Sequence, residues 1–202
     1  MEPVRVVDST LLPLDRSDVD TDQIIPASWL KRVERTGFGE GLFSEWRKDP
    51  EFITNNPAYR SAKVLVAGPN FGTGSSREHA VWALEDFGIR AVISPRFGEI
   101  FKNNCTKVGI VPVVVEPDIA RALLDAGLAD STTPIVVDVA ALEIRAETLG
   151  IVAAFAMDPF TQHRLLEGLD DIGLTLRFGD AITSYEQRRV DTTWLPSTAG
   201  AL

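Results

Sequence analysis

Cysteine is almost missing from this sequence. The only one is Cys105. An intrachain disulfide is therefore impossible, and a cytoplasmic home is expected. One thiol is also too few for an iron–sulfur cluster, which takes several. Histidine is scarce too: His79 and His163 lie far apart, and no zinc-type ligand spacing exists. No metal ligand is assigned to this chain, so a reaction that needs a metal must take it from another chain. Long apolar runs are lacking. The stretch from Gly150 to Met157 falls far short of the about 20 residues that a spanning helix needs, and Met1 to Arg5 has no signal-peptide layout. Positive charge is in deficit, with 20 Lys and Arg against 29 Asp and Glu and a net charge of -9. That balance argues against nucleic acid and against anionic membranes as partners. An anionic ligand would have to be caught by a local cationic site.

What is present centres on one junction. The apolar run Lys63 to Ala67 reads as a buried strand, and Val81 to Phe87 reads as a helix stopped by Gly88. Between them stands Gly68-Pro69-Asn70-Phe71-Gly72-Thr73-Gly74-Ser75-Ser76-Arg77-Glu78-His79-Ala80. Free backbone N–H groups and the helix dipole meet at such a strand-to-helix edge. Ser75 with Glu78 three residues on makes an S-x-x-E capping box. Arg77 falls in the first turn, where its charge opposes the dipole. Helix stability does not ask for it there; an anion over the helix end would, and its fork matches a carboxylate. Spacing alone leaves two readings open, a capped helix with a solvated arginine and a ligand site. The dinucleotide fingerprint fails because Arg77 stands at the third glycine, and no Gly-Lys-Ser/Thr of a P-loop follows.

The remaining chain reads as one domain of 202 residues. Val4 to Val7 is a short strand and Asp8 to Ile25 mostly loop. Within that loop Asp20 and Asp22 form a D-x-D pair, read as a turn with Asx hydrogen bonds or, with less support, a metal site. Pro26 to Phe52 is irregular. Gly37, Gly39 and Gly41 break it, as in loops that close over ligands, or as in a plain surface connection. Phe43, Trp46 and Phe52 pack its base. Strands follow at Arg90 to Ser94 and Ile110 to Val115. Helices follow at Phe97 to Val108, which buries Cys105 as a structural residue, and at Asp118 to Ala126, stopped by Gly127. Three strands between Pro134 and Ala156 form an antiparallel set. From about residue 158 the chain is a polar helical tail, with helices at Phe160 to Leu169 and Asp180 to Arg189. Strand–helix pairs followed by a group of strands indicate an α/β core joined to an antiparallel part.

The segment Phe71 to Ala80 resembles the G-x-G-S-S-R-E-H signature of the aconitase superfamily's swivelling domain. Asp20-Thr21-Asp22-Gln23-Ile24-Ile25-Pro26 and the tail Leu165 to Leu176 extend the likeness over nearly the whole chain, toward the small subunits of 3-isopropylmalate dehydratase. The resemblance implies a three-layer β/β/α swivelling domain spanning residues 1–202. It also implies a hydro-lyase of leucine biosynthesis that isomerises 2-isopropylmalate to 3-isopropylmalate through isopropylmaleate. Ser75 matches the family's catalytic serine, acting as an alkoxide base. Arg77 matches its arginine for the substrate carboxylate. Ser76 and Gly74 fall beside the substrate, and Asp22 at the edge of the active site. Glu78, His79 and Asp20 fall behind these. One of Lys31, Arg32 and Arg35, in a loop that tunes substrate choice, would give a second cation for a dicarboxylate. The [4Fe–4S] cluster of the family is expected on a separate large subunit, in a heterodimer or heterotetramer, so this chain alone is expected to be inactive. Two alternatives stand beside this. One is the small subunit of a related hydro-lyase acting on homoaconitate, citraconate or 2-methylmalate. The other is a non-catalytic anion-binding module.

Overall fold

A computed structural model describes residues 1–31 and 36–188. Their framework is a seven-stranded sheet in the order β4-β3-β2-β1-β5-β6-β7. β1 (Val6–Leu14), β2 (Val64–Ala67), β3 (Ala91–Ser94) and β4 (Val111–Val114) run parallel; β5 (Pro134–Asp138), β6 (Glu143–Ala146) and β7 (Ile151–Ala154) are antiparallel. β2 and β3 are buried at every position, as continuous apolar strands covered on both faces must be. β6 alternates half-buried and buried residues, the mark of a strand with one solvated face.

Two cores follow from the alternation of side chains along the parallel strands. On one face Leu12, Leu14, Leu65, Ala67 and Val92 meet α2 (Glu78–Phe87) and α3 (Glu99–Val108) through Ala80, Val81, Leu84, Phe101 and Cys105. On the other face Leu11, Val64, Val66, Ile93 and Val113 share one cluster with α4 (Pro117–Ala129) and with Ile135, Val137, Ile144 and Ala146 of β5 and β6. The sheet therefore curls back, so that helices, parallel strands and antiparallel strands form the three layers that the resemblance implies. Burial pushes the Cys105 thiol well above its ordinary pKa, so it fills the core as a neutral apolar group.

Several boundaries differ from those read in the sequence. β1 is far longer than Val4 to Val7 and takes up much of the expected loop. Its first half, Val6 to Thr10, pairs antiparallel with β5; its second half, Leu11 to Leu14, pairs parallel with β2. Pro13 stands where pairing with β5 has ended, which is where a strand tolerates a proline. The Asp20–Asp22 segment is not a turn but a short helix, α1 (Thr21–Ile24). α4 does not stop at Gly127. That glycine lies against β1, and an added Cβ would sit 3.2 Å from the Leu11 Cβ, so the residue serves close packing rather than a helix end. The tail holds α5 (Pro159–Glu167), α6 (Asp171–Leu176), which the sequence reading lacked, and α7 (Gly179–Arg188). α5 joins the amino-terminal segment through the Val4 amide, which donates to the Leu165 carbonyl at 2.8 Å. Among the described residues no helix is long and apolar enough to cross a membrane.

The glycine-rich segment is not a loose connection either. Phe38–Gly41 is a 3-10 helix packed on α2, with Phe38, Gly39 and Gly41 buried. The Gly39 amide donates to Asp86 of α2 at 2.8 Å. Farther on, Phe43 stacks on Trp46, and Phe52 meets Phe43 edge-on and Trp46 at a tilt, so the three rings pack together as the sequence suggests.

The buried Tyr59 hydroxyl donates to the Gly127 carbonyl at 2.9 Å and ties the segment before β2 to α4. Tyr59→Phe removes that donor and leaves a buried carbonyl short of a partner. The expected cost is about 1 kcal/mol, a fall of roughly 2–4 °C in melting temperature for a chain of this size. Calorimetry on the variant checks it, and an unchanged transition would refute the tie.

Candidate active site

The site is built where β1 and β2 end. The chain leaving β1 and the chain leaving β2 run side by side there. The Gly72 amide donates to the Val19 carbonyl at 2.7 Å, and the Thr21 amide donates to the Thr73 carbonyl at 3.0 Å, in a short parallel bridge between residues 20 and 73. Phe71 anchors the loop from below. It is fully buried, and its ring meets Phe101 of α3 edge-on at 5.3 Å. Gly74 has φ +91, a conformation that suits glycine, and it turns the loop outward directly above Thr21.

Ser75 is where the sequence reading needs correction. It is not a helix cap. α2 begins at Glu78 with Arg77 in the N-cap position and no side-chain cap, so the S-x-x-E box does not form. A tertiary partner has taken Ser75 instead. The Thr21 hydroxyl donates to the Ser75 carbonyl at 3.0 Å and lies 3.4 Å from Ser75 Oγ. The capping box of this region is at α1, where Asp20 accepts from the Gln23 amide at 2.8 Å and Gln23 accepts from the Asp20 amide at 2.9 Å. Asp20 is thus a helix cap. Gly74, Ser75 and Ser76 are exposed, and among the described residues the amides of Gly74, Ser75, Ser76 and Arg77 make no hydrogen bond. Those amides and the start of a ten-residue helix give a positive edge beside the Ser75 hydroxyl.

Arg77 and Asp22 form the second half. The Arg77 guanidinium grips both carboxylate oxygens of Asp22: Nη1 contacts Oδ1, and Nη2 reaches Oδ2 at 2.8 Å. Nη1 also donates to the Ile25 carbonyl at 3.3 Å. The arginine side chain is only 15% exposed, the aspartate 58%. Asp22 therefore presents from the solvent side the kind of carboxylate that such a fork recognises, and it lashes α1 to the start of α2.

The other expected residues are more scattered. His79 is half-buried between the rings of Phe38, at 5.2 Å, and Trp82, at 4.7 Å, and makes no hydrogen bond to Ser75 or Arg77. Glu78 is exposed in the first turn of α2, where its charge complements the dipole. Lys31 ends the 3-10 helix Ala27–Lys31 with an exposed side chain and no ion pair among the described residues. Arg32 and Arg35 lie outside the described residues. Among the described residues no three His, Cys, Asp or Glu side chains group as a metal would need, the Asp20–Asp22 pair included. A groove of about 410 Å³ between α3 and the start of α5, lined by Glu99, Lys102, Thr106, Met157 and Thr161 among others, contains none of these residues. Sequence reasoning missed Thr21. Its only signal was a hydroxyl residue between two aspartates, and spacing does not reveal that it is 2% exposed and aimed at Ser75.

Comparison with known proteins gives these features a class. Residues 1–118 match the family model of the aconitase C-terminal domain. Residues 171–198 match the model of the C-terminal domain of 3-isopropylmalate dehydratase small subunits. The curled sheet with its Ser–Arg edge is thus a swivelling domain of the aconitase class. The 3-isopropylmalate dehydratase small subunit of Parafrankia sp. (strain EAN1pec) is 58% identical over 199 residues, covering 98% of this chain and 100% of its own. That of Thermobifida fusca (strain YX) is 52% identical over 198 residues, with 98% and 100% covered. The crystal structure of 3-isopropylmalate dehydratase from Methanocaldococcus jannaschii superposes with a TM-score of 0.66 at 26% identity, covering 90% of this chain and 99% of that one. The chain belongs to the family of 3-isopropylmalate dehydratase small subunits.

The Arg77–Asp22 pair makes a testable asymmetry. Asp22→Ala removes an exposed partner and is expected to cost about 1 kcal/mol or less. Arg77→Ala removes a largely buried side chain, its bond to Ile25 and its packing, and is expected to cost roughly 2 kcal/mol. Urea unfolding of both variants measures the order, and a larger loss with Asp22→Ala would contradict it.

Proposed function

We propose that this chain acts as the small subunit of 3-isopropylmalate dehydratase in leucine biosynthesis, with Ser75 as the catalytic base and Arg77 as the substrate-carboxylate ligand. The observation that carries the reading is the placement of Ser75 beside Arg77 on one exposed edge, amid unpaired amides, in a chain of this family. The substrate is 2-isopropylmalate, a small dicarboxylate, and the reaction loses and regains water by way of isopropylmaleate. A proton must leave the carbon next to a carboxylate. Serine is a weak base unless its anion is stabilised, and the amides of Ser76 and Arg77, the helix start and the Arg77 charge offer that stabilisation. Arg77 meets the substrate carboxylate either through Nε, which has no partner among the described residues, or by exchanging it for the exposed Asp22 carboxylate. Gly74 and Ser76 flank the substrate, and Lys31, Arg32 or Arg35 supplies a second cation.

The residues of this chain do not fit a cluster: Cys105 is single and fully buried. The reading therefore assigns the [4Fe–4S] cluster to a large subunit, where it supplies the Lewis acid for the hydroxyl group. Ser75 and Ser76 being exposed supports a site closed by that partner. The assembly, on this reading, is a heterodimer or heterotetramer in the cytoplasm. The same reading takes residues 1–202 as one swivelling unit that carries the helical tail from about residue 158.

The test is hydration of isopropylmaleate, followed by loss of ultraviolet absorbance, with the large subunit present, anaerobically and with the cluster reconstituted. Activity is expected only in the mixture, abolished by Ser75→Ala and lowered roughly 100-fold or more by Arg77→Lys, which loses the fork. Robust turnover by this chain alone, or full activity with Ser75→Ala, would overturn the proposal.

A further inference from the structure

Thr21 is one of very few polar side chains in the interior: it is 2% exposed, and the site as described assigns its hydroxyl no chemical task. Two oxygens of one residue lie before it. The Ser75 carbonyl is 3.0 Å from Thr21 Oγ1 and Ser75 Oγ is 3.4 Å away. A threonine hydroxyl has one proton to give and two lone pairs to accept with. With the proton on the Ser75 carbonyl, Thr21 can accept from a neutral Ser75 hydroxyl. With Ser75 deprotonated, that carbonyl is the weaker of two acceptors and the alkoxide the stronger. Both lie within reach of the same Oγ1 position, so only rotation about the Cβ–Oγ bond is needed and no heavy atom moves. The backbone on both sides is fixed: the Thr21 amide is held by the Thr73 carbonyl, and the Ile25 amide donates to the Thr21 carbonyl, each at 3.0 Å.

We propose that Thr21 is a positioning residue for the base, its hydroxyl proton turning from the Ser75 carbonyl to Ser75 Oγ when that oxygen carries the negative charge. This rests on the reading of Ser75 as the base. In the step served, the substrate C–H bond breaks and its proton goes to Ser75 Oγ. The C–H electron pair becomes the new C=C bond, and the hydroxyl leaves the neighbouring carbon as hydroxide with its C–O pair, to be taken up on the large-subunit side of the site. Thr21 gives up no proton; it exchanges one acceptor for another. The proton taken by Ser75 returns to carbon when water is added back.

The experiment compares Thr21→Val, Thr21→Ser and Ser75→Ala in the reconstituted two-subunit enzyme, with Thr21→Ala read in place of valine if that variant does not fold. Kinetics are taken across pH. Thr21→Val is expected to lower kcat roughly 10- to 100-fold, as loss of one donor to a developing oxyanion does. KM should stay near that of the parent enzyme. The limb on which activity falls with acid should move to higher pH, because the alkoxide has lost a stabilising donor. Thr21→Ser restores the hydroxyl and should restore most of kcat and the original limb. Unchanged kcat with Thr21→Val, or a loss shared equally by the serine variant with no movement of the limb, would overturn the proposal and leave Ser75 as the base. Full activity with Ser75→Ala would instead overturn the reading beneath it.

Discussion

The site depends on one constraint: two chain segments more than fifty residues apart are locked side by side at the ends of β1 and β2. The Gly72–Val19 and Thr21–Thr73 backbone bonds fix their register, the Thr21 hydroxyl holds the Ser75 carbonyl, and the Arg77–Asp22 fork closes the far end. Each bond is modest alone. Together they place a hydroxyl, a guanidinium and a row of unpaired amides on one edge, with no side-chain cap at the start of α2. The helix start is left open on the side where Ser75 is exposed. A conventional capping box would have used the Ser75 side chain to satisfy the helix, taking from the chemistry the one group that the proposed reaction requires.

The same edge explains why a partner suits the fold. Ser75, proposed as the base, stands on the surface rather than in an enclosed cavity, beside the largely buried Arg77 side chain. Electrostatic help of this kind is strongest where water is excluded, and this chain by itself does not exclude it. In the proposed reaction, a second protein laid over Ser75 and Arg77 would both dry the edge and bring the Lewis acid. The acidic balance of the chain then matters little to substrate capture, because the local field at Ser75 is set by Arg77, the amides and the dipole of α2.

Much of this was legible in the sequence. The buried strands β2, β3 and β4 and the helices α2 and α3 follow from apolar runs and from glycines at their ends; Gly88 and Gly109 do take the left-handed conformation. β1 is longer than its sequence suggests because the aspartate-rich stretch from Asp8 reads as loop, and only the change of partner along the strand shows how Pro13 is tolerated within it. α4 was cut at Gly127 because a packing glycine and a terminating glycine look alike in sequence. The motif placed Ser75 and Arg77 together on one edge, but local spacing gave Ser75 the wrong neighbour: S-x-x-E describes a helix cap, whereas the contact actually made is to Thr21. Asp20 and Gln23 carried the true capping pair in plain view, as D-x-x-Q. Contacts across fifty residues leave no trace in spacing, so Thr21 and the grip of Asp22 on Arg77 needed the fold.

The most direct test of a site shared between two chains is competition. Large subunit would be reconstituted with parent and Ser75→Ala small subunits mixed in varying proportion, complex formation by both being verified by co-purification. Activity is predicted to fall in step with the fraction of Ser75→Ala chain, because each complex that incorporates it lacks its base. Activity independent of that fraction, with the variant incorporated normally, would contradict the claim that this chain contributes the base to the reaction.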